Sequence, residues 1–223
     1  MNLSRLISLI GSDNVKKIKN LNILVLGLGG VGGYTVESLI RSGVERITLV
    51  DGDVLEESNI NRQLICNRLN INKYKTKVTY RRIKSINKDV SITIINKMIK
   101  EEDINLLFMQ EYDYVVDACD TVLIKQVLIR ECYKRNIKII SCMGTAKRID
   151  ATLLYIDSLD NVTSDPLAKS VIKGLSNDEI KHTIVVSSKE KAISTPHLGS
   201  TSYVPGVAGL YITNYIINDI IKS

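Results

Sequence analysis

The chain has 223 residues, with 30 Lys and Arg against 24 Asp and Glu (net charge +6) and 44% apolar content. That length suits one α/β domain with a modest C-terminal extension, and the composition is ordinary for a globular protein rather than a disordered or fibrous one. The mild positive charge biases the surface toward polyanions, but lysine-rich usage alone produces it.

The first residues, M-N-L-S-R-L-I-S-L-I-G-S-D, lack an apolar h-region with a small-residue cleavage site and do not read as a signal peptide. Residues 3–19 have the pattern of an amphipathic helix with a basic end. Residues 22–26 (N-I-L-V-L) read as a short buried strand, 30–42 as a helix, and 46–50 as a second strand ending at Asp51. A helix over 73–87, strands over 90–95 and 112–116, a helix over 121–135 and a strand over 137–141 follow. Strands alternating with helices predict a Rossmann-like, mostly parallel sheet flanked by helices.

After Gly144 the pattern changes. Residues 153–156 and 183–186 read as strands, and 166–175 as a helix with Pro166 in its first turn, which together make a C-terminal α+β extension. Residues 204–222 are the most apolar stretch, but Asn214, Asn218 and Lys222 form a polar row on a helix. A packed terminal helix is expected there, not a membrane span. No linker is long enough to split the chain. The expectation is one unit over 1–223, with a nucleotide-binding part over 1–144 and a substrate and dimer extension over 145–223.

Strand 22–26 runs directly into G-L-G-G-V-G-G (Gly27 to Gly33) and then a helix. Gly27, Gly29 and Gly30 let the backbone turn tightly and let phosphate oxygens approach the amides, where the helix N-terminus adds partial positive charge. Asp51 follows at the spacing of a ribose-binding carboxylate. The motif alone does not separate NAD, FAD and ATP.

The segment Ser58, Asn59, Ile60, Asn61, Arg62, Gln63 follows the second strand on the ligand side of the sheet, and Lys75 lies just beyond. Cleaving ATP between its α- and β-phosphates needs charge neutralisation and in-line geometry. Arg62 offers a planar, permanently charged donor set and Lys75 a point charge, while Asn59 and Asn61 can hold phosphate oxygens or metal-bound water. Strand 112–116 leads into D-A-C-D-T. Asp120 is placed to hold Mg²⁺ against ATP phosphates, or to cap the next helix, or both. Asp117 reads as structural.

Cys66, Cys119, Cys132 and Cys142 are widely spaced without a C-x-x-C pair, which argues against a four-thiolate zinc site and a disulfide framework and fits a reducing cytoplasm. Cys142 reads as a small buried residue rather than a nucleophile, and His182 and His197 as structural. Lys73, Lys77, Arg81, Lys84 and Lys88 form a basic stripe at near-helical spacing, which reads as a solvated face. Lys75 points the opposite way.

G-L-G-G-V-G, D-G-D-V, S-N-I-N-R-Q, Lys75 and D-A-C-D, in this order, resemble the superfamily of ubiquitin-activating and ThiF/MoeB-type adenylating enzymes. The resemblance implies that Gly30, Asp51, Ser58 to Arg62, Lys75, Asp120 and Thr121 bind ATP. It also implies that Arg5 reaches the ATP site of a partner subunit in a homodimer. M-G-T-A-K-R-I-D-A-T, S-D-P-L-A-K, V-V-S-S-K-E and S-Y-V-P-G-V-A-G resemble the tRNA threonylcarbamoyladenosine dehydratase branch. This implies ATP-dependent adenylation of the threonyl carboxylate of a modified adenosine beside a tRNA anticodon, then ring closure. Ala151 stands where the branch usually has proline, and A-K-R where G-N-K is common.

Under the resemblance Arg62, Lys75, Asp120 and Arg5 carry catalysis, with ATP and Mg²⁺ required, and Lys147 and Arg148 are the candidate tRNA contacts. Sulfur-relay or cysteine-desulfurase-linked proteins are candidate partners. The alternatives are adenylation of the C-terminus of a ubiquitin-like sulfur carrier, an NAD-dependent oxidoreductase, and a non-catalytic nucleotide-binding module.

Overall fold

The computed structural model describes residues 1–222. Helices α1 (Ser4–Ile10) and α2 (Ser12–Asn20) precede strand β1 (Asn22–Leu26), helix α3 (Gly32–Arg41) and strand β2 (Arg46–Val50). Helix α4 (Lys75–Ile86), strand β3 (Ser91–Ile95), the short α5 (Ile104–Leu107), β4 (Tyr114–Asp117), α6 (Val122–Lys134) and β5 (Lys138–Cys142) follow. The C-terminal part contributes β6 (Leu154–Ser158), α7 (Pro166–Ile172), α8 (Asn177–His182), β7 (Thr183–Ser188) and α9 (Tyr203–Lys222).

The seven strands form one sheet in the order β3-β2-β1-β4-β5-β7-β6, parallel except for β6, which runs antiparallel to β7. Successive residues of a strand face opposite sides of the sheet, so each strand feeds two cores. Ile23 and Val25 of β1 join Val36, Leu39, Ile40, Ile212 and Ile216 of α3 and α9 on one face. Leu24 and Leu26 join Leu107 of α5, Leu128 and Cys132 of α6 and Val171 of α7 on the other. Burial on both faces explains why β1 reads as an unbroken apolar run.

Three expected helix boundaries are corrected. The helix over 3–19 is two helices, because Gly11 between them has φ +84°, a left-handed conformation that turns the chain and that glycine adopts without strain. The glycine segment is a turn through Val31, so α3 starts at Gly32 rather than at residue 30, and α4 likewise starts at Lys75 rather than at 73. Helix α8 lies where no element was expected. It has a Ser176–Glu179 capping box, a signal that the sequence does carry.

Helix α9 packs on α3 and β6, burying Val204, Ala208, Ile212 and Ile216. Its Asp219 accepts hydrogen bonds from the Tyr114 hydroxyl and from Lys138 Nζ, the latter at 2.6 Å. Asn214, Asn218 and Lys222 are exposed, as the polar row predicts. Among the described residues no helix is long and apolar enough to cross a membrane.

Candidate active site

Strand order reverses at β1, whose neighbours β2 and β4 lead to opposite halves of the sheet. At such a switch point the loops after adjacent strands part and leave a crevice at the carboxyl ends of the strands. A cleft of about 1170 Å³ opens there, lined by residues from Leu26–Val31, Val50–Val54, Ser58–Gln63 and Ala118–Thr121, by Lys75, and by Cys142–Ala146 and Leu198–Ser200.

Gly27 turns out of β1 with φ +90°, and a Cβ on it would lie 2.6 Å from the carbonyl oxygen of Ala118. Both facts demand glycine at this point. At Gly29 an added Cβ would meet only Gln63 Nε2, at 3.9 Å, so the turn presents bare backbone to the cleft just ahead of the α3 N-terminus.

Asp51 is buried. Its Oδ2 accepts the Leu28 N–H (2.7 Å) and its Oδ1 the Asp53 N–H (2.8 Å), so it ties the glycine turn to the end of β2. Burial pushes its carboxyl above the usual range, against the Lys75 charge and the two backbone donors. Each oxygen retains a lone pair for a ribose hydroxyl.

Lys75, the first residue of α4, is buried with Nζ 2.7 Å from Asp53 Oδ2 and 3.9 Å from Asp51 Oδ2. It reaches the cleft as expected, but as half of an ion pair rather than as a free charge. Arg62 is different. Its Nη1 donates to the Ser58 carbonyl (2.8 Å) and to Asn61 Oδ1 (3.0 Å), both neutral acceptors. No carboxylate pairs with it among the described residues, so its charge is uncompensated in the cleft wall.

Ser58 and Asn59 lie in a 3-10 turn (Glu57–Asn59), where the Asn59 Oδ1 accepts the Glu56 N–H at 3.2 Å. Asn59 is buried and largely structural, while Asn61 Nδ2 donates to the Ser200 carbonyl (3.0 Å) and tethers the loop ahead of α9. Asp120 is exposed on the cleft wall. It does not cap α6: the N-cap is Thr121, and no side chain bonds there, so the capping expectation is withdrawn. Among the described residues no cluster of three metal-ligating side chains exists. A lone carboxylate beside triphosphate oxygens nevertheless suits Mg²⁺, which is commonly bound through one or two carboxylates and substrate phosphates.

Arg5 stands apart. It lies exposed on α1, beside a groove lined by residues 2–6 and Arg41, and not in this chain's cleft. The expectation for Lys147 and Arg148 as RNA contacts is corrected for Arg148. Its guanidinium is buried, pairs with Asp165 Oδ2 at 2.6 Å, and donates to the carbonyls of Ser188 and Glu190. Lys147 Nζ donates to the Thr195 carbonyl at 2.7 Å. Both hold the extension together.

Sequence reasoning missed Lys125. It is fully buried on α6, with Nζ 2.9 Å from Asp117 Oδ2, 3.2 Å from Ser141 Oγ and 2.8 Å from the Cys142 carbonyl. Burial alone would push its ammonium down, but the Asp117 carboxylate outweighs it and the net direction is up. The signal was available, since a lysine on the same helical stripe as Leu128 and Cys132 must have a buried partner. Gln63 was passed over as well. Its Oε1 is buried beside the cleft without a partner among the described residues, an acceptor suited to a donor on a bound ligand such as a ribose hydroxyl or an adenine amino group.

Burial pushes the Cys142 thiol up to about 12, so it carries no thiolate at neutral pH. Cys142→Ala is therefore expected to keep near-wild-type turnover in a steady-state assay of ATP consumption. A loss of a hundredfold or more would restore it as a nucleophile.

Sheet order, glycine turn and charged cleft define a doubly wound nucleotide-binding protein with a site for an acidic phosphate chain. The ThiF family model matches residues 3–216, and the chain belongs to the ThiF family. It is 34% identical over 236 residues to the tRNA threonylcarbamoyladenosine dehydratase of Bacillus subtilis (strain 168), spanning 96% of this chain and 92% of that protein. The Haemophilus influenzae dehydratase is 37% identical over 166 residues, spanning 74% of this chain and 64% of that protein. The crystal structure of E. coli tRNA N6-threonylcarbamoyladenosine dehydratase, TcdA, in complex with ATP matches with a TM-score of 0.93 at 27% identity, covering 99% of this chain and 93% of that one.

Proposed function

We propose that this protein uses ATP to activate the threonyl carboxylate of N6-threonylcarbamoyladenosine in tRNA and then closes it into a ring. The observation that carries this reading is the unpaired Arg62 guanidinium in the same cleft as the bare glycine turn. Relatives named as dehydratases at 34% and 37% identity support the substrate.

A carboxylate oxygen attacks the α-phosphorus, the bond to the bridging oxygen of the β-phosphate breaks, and pyrophosphate leaves. Charge develops on the departing pyrophosphate and the phosphoryl oxygens. The Gly29 and Gly30 region of the turn and the α3 N-terminus receive phosphate oxygens, and Arg62 stabilises the developing charge from a preset position. Lys75 adds charge by shifting from Asp53. Asp51 and Gln63 hold the nucleoside, with Ser58, Asn59, Asn61 and Thr121 completing the wall. Mg²⁺ held at Asp120 and the phosphates would neutralise further charge. An internal nucleophile of the threonylcarbamoyl group then attacks the acyl-adenylate carbonyl and AMP departs. The nucleoside has lost one water overall.

The reading extends to the assembly. Helix α1 buries none of its own residues, and exposes Ile7 and Leu9 beside Arg5. A homodimer would cover that face and carry Arg5 to the partner's cleft. The whole of 1–223 then acts as one unit, with 1–144 holding nucleotide and 145–223 shaping the acceptor side. Four free cysteines support a reducing compartment such as the cytoplasm. A sulfur-relay or cysteine-desulfurase-linked partner would dock rather than exchange sulfur, given the buried Cys142.

The test is incubation with ATP, Mg²⁺ and threonylcarbamoylated tRNA, followed by mass spectrometry of the nucleosides. Loss of one water from the modified adenosine is expected. An unchanged nucleoside, with pyrophosphate released only when a ubiquitin-like carrier is supplied, would overturn the reading.

A further inference from the structure

The segment 73–88 carries seven cations (Lys73, Lys75, Lys77, Arg81, Arg82, Lys84, Lys88) and no acid. Two are used within the protein: Lys75 faces the cleft, and Arg82 pairs with Glu37 at 2.7 Å. The other five share one side of α4 and its flanks. None has an acidic partner among the described residues; Lys73 and Lys84 reach only backbone carbonyls. Like charges at i and i+4, as at 77 and 81 on α4, repel one another on a helix. Several other helix and strand cations do have an acidic partner, as at Arg41–Glu37, Lys134–Glu131 and Lys138–Asp219; the stripe is set apart by five cations on one side with no acid between them.

Two tyrosines stand in this stripe, Tyr74 at 41% and Tyr80 at 38% exposure, large aromatic rings left in solvent. Lys77 Nζ lies 5.3 Å from the Tyr74 ring centroid and Lys84 Nζ 5.8 Å from that of Tyr80. Cations interleaved with accessible aromatic faces are what a single-stranded nucleic acid requires, charge for phosphates and π-surface for unpaired bases. An acidic protein would need the charge but not the rings. Tyr74 immediately precedes Lys75 and is bridged through its backbone to Val54, which lines the cleft, so the stripe begins at the cleft rim.

We propose that this face of α4 and its flanks, from Lys73 to Lys88, is the RNA-docking surface. The backbone of the anticodon loop lies along the stripe and an unpaired base stacks on Tyr74, which leaves the modified adenosine at the mouth of the cleft. This rests on the function proposed above and names the surface that presents its substrate. The helix, about 18 Å long, is long enough to engage several consecutive nucleotides.

The test measures binding of a fluorescent, threonylcarbamoylated anticodon stem–loop across a salt series, with ATP binding measured separately by calorimetry. Lys77→Gln/Arg81→Gln/Lys88→Gln alters only exposed side chains. Its affinity is expected to fall on the order of ten- to a hundredfold at 0.1 M salt, and the slope of log K against log salt to decrease by about two to three, with ATP affinity unchanged. Tyr74→Ala is expected to cost about tenfold at every salt concentration. In the wild-type protein a photo-crosslink from the loop should map to residues 73–88.

Wild-type affinity and slope in the triple variant would overturn the proposal. So would crosslinks confined to residues 145–200, or polyglutamate displacing the RNA more effectively than unlabelled RNA does. If the triple variant binds RNA normally while the wild-type protein dehydrates its tRNA, only the surface is wrong. If the wild-type protein leaves the nucleoside intact, the function itself fails.

Discussion

Arg62→Ala is expected to lower kcat by roughly two to three orders of magnitude, about 3–4 kcal/mol of transition-state stabilisation, while ATP still binds. The guanidinium is anchored at Nη1 by the Ser58 carbonyl and Asn61 Oδ1, so its orientation is set before the nucleotide arrives. Both anchors are neutral and leave its full charge for the reaction. The β- and γ-phosphates gain charge mainly as they leave, so the loss falls on turnover more than on ground-state affinity. Arg62→Lys keeps the charge but not the planar fork, and should recover only part of the rate. Single-turnover pyrophosphate release, set beside equilibrium ATP binding, separates the two effects. Turnover matching the wild-type protein would remove Arg62 from the chemistry.

Lys125→Met is expected to destabilise the fold by about 3–5 kcal/mol, because it leaves the Asp117 carboxylate charged, buried and without its cation. Both side chains are fully buried, and their pair lies 2.9 Å apart. Ser141 Oγ donates to the same Asp117 oxygen at 2.6 Å, and the Cys119 N–H to the other at 3.2 Å. The network thus joins the ends of β4 and β5 to α6 directly beneath the cleft. Asp117→Asn combined with Lys125→Met removes both charges and should cost clearly less than Lys125→Met alone. For a chain of this length the single variant should lower Tm by roughly 10 °C. Urea midpoints for the two singles and the double give the coupling. Strictly additive losses would show that the pair does not act as a unit.

The two predictions divide along what a sequence reveals. Arg62 was legible because its environment is local: a glycine turn, a strand end and a run of polar residues sit within one nucleotide-binding unit. Lys125 was legible only in part: its place on the Leu128 and Cys132 stripe marks it as buried, but its partners Asp117, Ser141 and Cys142 come from two strand ends that one helix does not reveal. Arg148 shows the opposite failure. In sequence it is a basic residue beside a site motif; in three dimensions Asp165 and two carbonyls enclose it, and its charge never reaches solvent. The α4 stripe was read as an ordinary solvated face, because the absence of acidic neighbours from other elements is not visible along one helix.

By itself the sequence determined the alternation of strands and helices, the phosphate turn and the cluster of Ser58 to Arg62, because each rests on local periodicity or on glycine's backbone freedom. Only the tertiary structure decided which charges are paired. Ion pairs join side chains distant in the chain, and whether a cation is free depends on what the fold packs against it. That is why Lys75 and Arg148 emerged neutralised, and Arg62 and the face of α4 did not.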